Sequence, residues 1–312
     1  DLAFTSEELN KMSDEEVKAV LKDIRVIARA LPTDKSRMVR LSQEINLVCG
    51  MTGDGVNDSP ALKRADVGFA MGSGTEVAKE AGEIVILDDN FNSIAKAILF
   101  GRTIYNNIIK FICFQLTINV TAVAISAIGP FIGVDHPLSI THILWINLIM
   151  DGLAALALGS EPALEKYMEE KPKSRTEKIV QRVTMERVLI MGTWLTALSI
   201  AFLKLPFFIN MFSSQEAHMT AYFSLFVISA VFNGFNVRSE GLNIFSGLNE
   251  NKEFIKVMGA IIVVQILLTF IGGDMFSCTQ LTLNEWFIVI GLSALTIPVD
   301  LIRKIINKNI FK

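Results

Sequence analysis

A doubly wound α/β domain followed by an α-helical membrane domain of six transmembrane helices is the fold class this sequence predicts. Three observations carry the prediction. Charge is split along the chain: residues 1–100 hold 29 of the Asp, Glu, Lys and Arg side chains with a net charge of −5, whereas the other 212 residues hold only 32. Those 212 residues contain six apolar runs of the length a bilayer core demands, about 20 residues each. The first hundred alternate short apolar runs with helix-forming stretches around a Gly-rich loop. A mean hydropathy of +0.44 is therefore the average of a soluble part and a membrane part.

From the N-terminus, residues 4–10 read as a capped helix start with no strand before it, and a helix over 13–22 follows. An apolar run at 24–28 leads into a helix over 33–43 that Thr33 caps. Residues 45–51 form an apolar run closed by glycines, which predicts a buried parallel strand. Two more short strands, 67–71 and 84–87, alternate with helices at 60–64 and 75–81, as a doubly wound sheet requires. Ligands of such sheets sit beyond the C-terminal strand ends. The domain boundary falls near residue 100, giving 1–100 and 101–312.

The six spans run at about 108–132, 140–159, 187–210, 219–237, 254–273 and 284–302. Stretches such as 258–271 are apolar all round, unlike a surface helix. Loop 160–186 carries six Lys or Arg, loop 238–253 carries Arg238 and Lys252, and the tail carries Arg303, Lys304, Lys308 and Lys312; loops 133–139, 211–218 and 274–283 carry none. The positive-inside rule then places the N-terminal domain and the C-terminus in the cytoplasm, with the lipid bilayer as obligate partner. This excludes a wholly soluble enzyme, a disordered chain and a secreted disulfide scaffold, since the three cysteines lie far apart. Nothing is basic enough for nucleic acid. Residue 1 is Asp and no signal peptide is seen, so we expect the C-terminal part of a longer chain.

The run Met51-Thr-Gly-Asp-Gly-Val-Asn-Asp-Ser-Pro-Ala-Leu62 carries the chemistry. Gly53 and Gly55 permit a tight turn and close backbone approach. Asp54 and Asp58 supply hard oxygen ligands where Mg²⁺ could sit beside a phosphate. Asn57 can donate to a phosphoryl oxygen, and Lys35, near the start of a helix, can steady transferring oxygens. This run resembles the hinge signature of P-type ATPases in the haloacid dehalogenase superfamily, and Ala28-Arg-Ala-Leu-Pro-Thr-Asp-Lys35 resembles that family's Arg-to-Lys segment. The resemblance continues through residues 68–74, 78–81 and 87–91. It implies ATP as substrate, catalytic Mg²⁺ on Asp54 with Asp58 in support, and contacts from Asn57, Lys35 and Arg29 to phosphate or nucleotide. The family's aspartyl nucleophile lies in an Asp-Lys-Thr-Gly-Thr motif that this chain lacks. The missing N-terminal domains are thus expected partners, and the chain alone is expected to be inactive.

Ionisable and amide side chains within hydrocarbon are functional by default. Asp151 is the one acid in the middle of a span, while Asp300 lies near a cytoplasmic end. Asn147, four residues before Asp151, is expected on the same helix face. Asn119 lies midway along the first span, and Gln115, four residues earlier, reads instead as an interhelical hydrogen-bonding group. Asn119, Asn147 and Asp151 make a partial cage for a hard cation.

Thr141-His-Ile-Leu-Trp-Ile-Asn-Leu-Ile-Met-Asp151 and Phe114-Gln-Leu-Thr-Ile-Asn119 resemble calcium pumps of the plasma-membrane type. The runs 272–281 and 232–236 extend the likeness. The resemblance implies Ca²⁺ as the transported ion, those three residues as ligands, and a plasma-membrane location. Where two-calcium pumps carry further ligands this chain has Ala122, Met150 and Ala230, so one Ca²⁺ per cycle is expected. No calmodulin-binding tail is expected at this C-terminus. The alternatives are a Ca²⁺/Mn²⁺ pump of the secretory-pathway type, a membrane-anchored phosphatase of the same superfamily, and a non-enzymatic remnant.

Overall fold

The computed structural model describes residues 1–310, with side chains to 307. Lys308 and Lys312, which the orientation argument uses, lie outside the described side chains. The chain divides into two compact units, Asp1–Arg102 with Leu164–Lys178, and Thr103–Ala163 with Ile179–Lys312.

The first unit opens with strand β1 (Leu2–Thr5), where the sequence suggests none. Thr5 ends it as the cap of α1 (Ser6–Lys11), its hydroxyl accepting the Glu8 N–H while Glu8 reaches back to the Thr5 N–H, a capping box. A second box, Ser13 with Glu16, starts α2 (Asp14–Val20). Strand β2 (Ile24–Ala28) pairs parallel with β1. Helix α3 (Pro32–Glu44) is capped two residues earlier than Thr33, at Leu31: Pro32 opens it, and the buried Asp34 carboxylate accepts the Leu31 N–H at 2.9 Å. Asp34 also receives Ser6 Oγ and Asn10 Nδ2, so the cap ties α3 to α1.

After α3 come β3 (Gly50–Gly53), α4 (Ser59–Arg64), β4 (Val67–Met71), α5 (Glu76–Ala81) and β5 (Ile84–Ile86). The expected strand over 45–51 is corrected to Gly50–Gly53. Residue Ile45 closes α3, Asn46 turns the chain with φ +61°, and β4 begins to pair only at Gly50. Just before that register the Cys49 N–H is satisfied by the Asp66 carboxylate instead. Strands β3, β4 and β5 are parallel neighbours in that order, and β1–β2 form a separate parallel pair. The parallel, helix-alternating character of the predicted sheet is present, in two pieces. Val39 of α3, Ala61 and Ala65 pack with Cys49 and Met51, which holds α3 and α4 together beside β3.

Residues 164–178, expected as a loop of the membrane domain, belong to the first unit. Arg175 pairs with Asp66, and the Arg102 guanidinium donates to the carbonyls of Tyr167 and Glu170.

Helix α6 (Phe91–Ile128) is continuous and starts well before the expected span. The second unit continues with α7 (Ile140–Leu144), a π-helical segment Trp145–Met150, and α8 (Asp151–Gly159). Next come α9 (Arg182–Lys204), the short α10 (Pro206–Ile209), α11 (Gln215–Arg238), α12 (Lys252–Ile271), α13 (Gly273–Phe276), α14 (Leu283–Ala294) and α15 (Thr296–Ile310). Six helical stretches in the described residues are long and apolar enough to cross a membrane. The third stops at Lys204 rather than 210, because Pro206 disfavours helical backbone at Leu205 and reopens a new turn. The sixth breaks at Leu295: the Pro298 ring would clash with the carbonyl four residues back, Ala294, where α14 ends. Helix α11 is the central one, buried along almost its whole length against α14, α12, α15 and α9.

Candidate functional sites

In the α/β unit, β3 delivers the Gly-rich loop at its C-terminal end. Asp58 ends a 3₁₀ turn, Val56–Asp58, and is buried. One carboxylate oxygen receives Lys35 Nζ, from the first turns of α3. The other accepts the N–H groups of Asp54 and Gly55, both at 3.3 Å. Burial raises the Asp58 pKa, but the Lys35 ammonium and the two amides outweigh it and hold the carboxyl below the usual range. A Cβ on Gly53 would stand 2.4 Å from the Asp58 Cβ, so only glycine lets the turn close over this carboxylate. Gly74 plays the same part opposite, where a Cβ would meet the Asp54 carbonyl at 2.7 Å. That carbonyl accepts the Thr75 N–H at 2.8 Å.

The loop is thus held from below, and Asp54 and Asn57 project to solvent. The Asp54 carboxylate makes no hydrogen bond or ion pair among the described residues. It is a free, hard oxygen donor, whereas the Asp58 carboxylate is committed to Lys35 and the loop amides. A Mg²⁺ ion suits the Asp54 end of this pair. Arg29, just past β2, is exposed and held at φ +56°. The structure brings Lys35, Asp54 and Asp58 together, with Asn57 in the same turn.

In the second unit, Asp151 follows the π-helical segment directly and is 2% exposed. Neither of its carboxylate oxygens has a partner among the described residues. An unpartnered buried carboxylate is costly unless a proton or a cation completes it. Asn147 sits inside the π-helical segment and is exposed, and Asn119 on α6 is half-buried. The expectation that Asn147 and Asp151 share one face is corrected to this extent: one is open and the other enclosed. π-Helical turns widen the backbone to more than four residues per turn, and they recur at functional sites. Among the described residues no three His, Cys, Asp or Glu side chains cluster as a metal cage. From this chain, a cation at Asp151 would therefore draw on amide and backbone oxygens. Met150 and Ala230 are fully buried, and neither brings an oxygen in its side chain.

Sequence reasoning missed several buried polar groups in α11 and its neighbours. Asn233 is 0% exposed with both amide atoms unpartnered, as is Ser229 Oγ one turn away. Gln265 of α12 donates to Ser224 at 3.2 Å but its carbonyl oxygen is unpartnered. The available signal was the run of amides and hydroxyls along the most enclosed helix of the bundle.

Residues 135–306 match the family described as cation transporting ATPase, C-terminus, and residues 49–98 match haloacid dehalogenase-like hydrolase. A plasma membrane calcium-transporting ATPase of Caenorhabditis elegans is 39% identical over 93% of this chain and 25% of its own. Plasma membrane calcium-transporting ATPase 1 of Homo sapiens is 39% identical over 92% of this chain and 25% of its own. A plasma membrane-type calcium-transporting ATPase of Arabidopsis thaliana is 38% identical over 94% of this chain and 28% of its own. The chain spans about a quarter of the length of these relatives. It belongs to the cation-transporting ATPase family, matches that family's C-terminal part, and is similar to its plasma membrane calcium-transporting members.

Proposed function

We propose that the intact protein exports Ca²⁺ across the plasma membrane at the expense of ATP, one ion per cycle, through a phosphorylated Asp outside this chain. The N-terminal unit and the C-terminus face the cytoplasm, as the Lys and Arg of alternate loops demand. At the phosphate end, Asp54 would hold Mg²⁺, which supplies charge neutralisation to the transferring phosphoryl group. Asp58 acts chiefly through others: it orients the Lys35 ammonium toward the phosphate and holds the Asp54 and Gly55 amides in place. Asn57 donates to a phosphoryl oxygen, and Arg29 binds nucleotide phosphate. Helix α6 links this unit to the ion site by direct chain continuity.

At the membrane end, Asp151, Asn147 and Asn119 coordinate Ca²⁺, and backbone oxygens with ligands from helices upstream of this chain complete a shell of six to eight oxygens. One observation carries the reading: Asp151 keeps two unpartnered carboxylate oxygens in the interior of a membrane bundle, next to a widened helical turn. Asn147 is exposed on this chain, which supports closure by further helices. The test is equilibrium binding of radiolabelled Ca²⁺ to the purified full-length protein. One tight site per phosphorylation site, lost in Asp151→Asn, is expected; undiminished binding in that variant overturns the assignment.

A further inference from the structure

The second span, which carries Asn147 and Asp151, is fastened at its start by a histidine that neither proposed site uses. His142 lies in α7, the short helix that runs into the π-helical segment, and is 6% exposed. Both ring nitrogens are engaged. Nδ1 accepts the Ser139 N–H at 3.2 Å while the Ser139 hydroxyl accepts the His142 N–H at 3.2 Å, a capping box with imidazole in place of the usual Glu or Gln. Because Nδ1 accepts, the proton of the neutral ring must lie on Nε2, which donates to the Phe276 carbonyl at 2.6 Å. One tautomer of the neutral ring therefore satisfies every contact. Thr141 makes a parallel tie, its hydroxyl donating to the Met275 carbonyl at 2.9 Å.

Both acceptors lie in α13, in the connection between the fifth and sixth spans. That connection is itself anchored to α11, where Thr220 Oγ1 accepts the Thr279 N–H at 3.0 Å. The imidazole also stacks on Phe223 of α11, with centroids 3.8 Å apart and planes 9° apart. Among the described residues no charged side chain stands against the ring. Asp135 and His136 before it, Glu216 of α11 and Asp274 of α13 are exposed. His218 and Tyr222 of α11 meet Phe202 of α9, Glu285 of α14 is bonded to Ser213 and Thr282, and Cys278 Sγ donates to the same Phe276 carbonyl. A proton taken up at Nδ1 would set two N–H groups, the ring's and that of Ser139, against each other with no acceptor between them. The cap bond is then lost, and the charged ring finds no carboxylate in a buried place.

We infer that His142 is a positioning residue for the ion-carrying span and a proton-operated latch at its outer end. Neutral, it holds the start of the span against α13. Protonated at Nδ1, it frees that start, and Asn147 and Asp151 lose the alignment on which Ca²⁺ binding depends. The latch is closed above the ordinary imidazole value of about 6.5 and opens as pH falls below it. The inference rests on the orientation and the Ca²⁺ site proposed above, which make the extracellular medium the source of the proton.

The test uses the full-length protein in proteoliposomes. ATP added outside drives only molecules whose N-terminal unit faces out, so the lumen bathes the latch. The outer medium is kept neutral and the lumen is set at about pH 7.5 or about pH 5.5, on either side of the imidazole range. In the wild type an acid lumen should raise the half-saturating outer Ca²⁺ for ATPase activity about fivefold or more. His142→Gln does not titrate, yet its amide oxygen can accept from Ser139 and its amide nitrogen can donate to Phe276. It should match wild type at the higher lumenal pH and stay there at the lower. His142→Leu, which makes neither bond, should show the raised value at both. Hydrogen exchange over residues 139–145, in nanodiscs that expose both faces, reads the latch without reference to Ca²⁺ or to orientation. At the lower pH it should be faster in wild type than in His142→Gln. An equal lumenal pH response in wild type and His142→Gln, or equal exchange over 139–145 in the two at the lower pH, overturns the proposal. Full Ca²⁺ binding in Asp151→Asn with the exchange difference still present would sink the ion site and leave the latch standing, so the two readings fail separately.

Discussion

Asp54 and Asp58 stand four residues apart in one loop, yet their surroundings divide the work between them. Asp58 is buried, paired with Lys35 and bonded to two loop amides, while the Asp54 carboxylate is exposed and uncommitted. In the full-length protein Asp54→Asn should therefore lower Mg²⁺-dependent phosphorylation by about a hundredfold or more, a barrier change of several kcal/mol, with Ca²⁺ binding intact. Phosphoenzyme formation at near-normal rate would remove Asp54 from the metal site. Asp58 makes a different prediction, one of pH and stability. Its pKa is depressed in the folded state, so its contribution is present above the unfolded value of about 3.9 and is lost as pH falls through the folded one. Melting curves should show wild type more stable than Asp58→Asn near neutral pH, with the difference shrinking progressively as pH falls below about 4. A difference that persists into acid would mean the ion pair contributes nothing. At the membrane end, Asp151→Asn should abolish Ca²⁺-dependent phosphorylation yet leave phosphorylation from inorganic phosphate, since the loop chemistry is untouched.

Among the elements, the second span is the one whose irregularity matters. An α-helix across residues 140–159 would keep every backbone bond in the four-residue ladder. The π-helical segment Trp145–Met150 instead carries an extra residue, and it ends directly before Asp151. Deleting Leu148, a mostly exposed position in that segment, should let the span relax to regular α-helix. The side chains before the deletion would then turn by roughly 100° relative to Asp151. We expect a folded, membrane-inserted protein that no longer shows Ca²⁺-activated phosphorylation. Retained activation would show that the widened turn has no part in the ion site. Nothing in the run Ile-Leu-Trp-Ile-Asn-Leu-Ile-Met announces this turn, because apolar residues satisfy both helix types equally. The break in the sixth span, expected as one run over 284–302, follows from Pro298, which excludes a regular helix at Ala294.

For the whole molecule, the proposed count of one transported ion rests on three positions of the bundle. Ala122, Met150 and Ala230 offer no side-chain oxygen, and a thioether is too soft for a hard cation. A second dication beside the first would be uncompensated in a low-dielectric interior. Calcium activation of ATPase activity in the full-length protein should therefore show a Hill coefficient near one, and ion flux should approach one Ca²⁺ per ATP. Two cooperative sites per phosphoenzyme would refute this. The buried amides Asn233 and Gln265 are the internal candidates for such a second site, because their unpartnered atoms lie in the same bundle.

The sequence by itself determined the class of the fold and the family. Apolar runs of bilayer length, parallel strands bounded by glycines, and the dense motif at residues 51–62 each act locally, through hydrophobic partition or through turns that few residues permit. The candidate residues Lys35, Asp54, Asp58 and Asp151 were legible for the same reason, since charge beside a Gly-rich turn or within hydrocarbon is rare. Tertiary structure alone decided how those groups are spent. Asp58 became the partner of Lys35 because α3 packs beside β3, a contact across 23 residues of sequence. Residues 164–178 joined the α/β unit through Arg175 and Asp66, 109 residues apart. The strand before α1 formed because β2 lay ready to pair with it. Asp300 gathered cations from α9 and α15, a cluster that the spacing of those residues along the chain could not foretell. Long-range pairing of this kind depends on which surfaces meet, and periodicity carries no record of that.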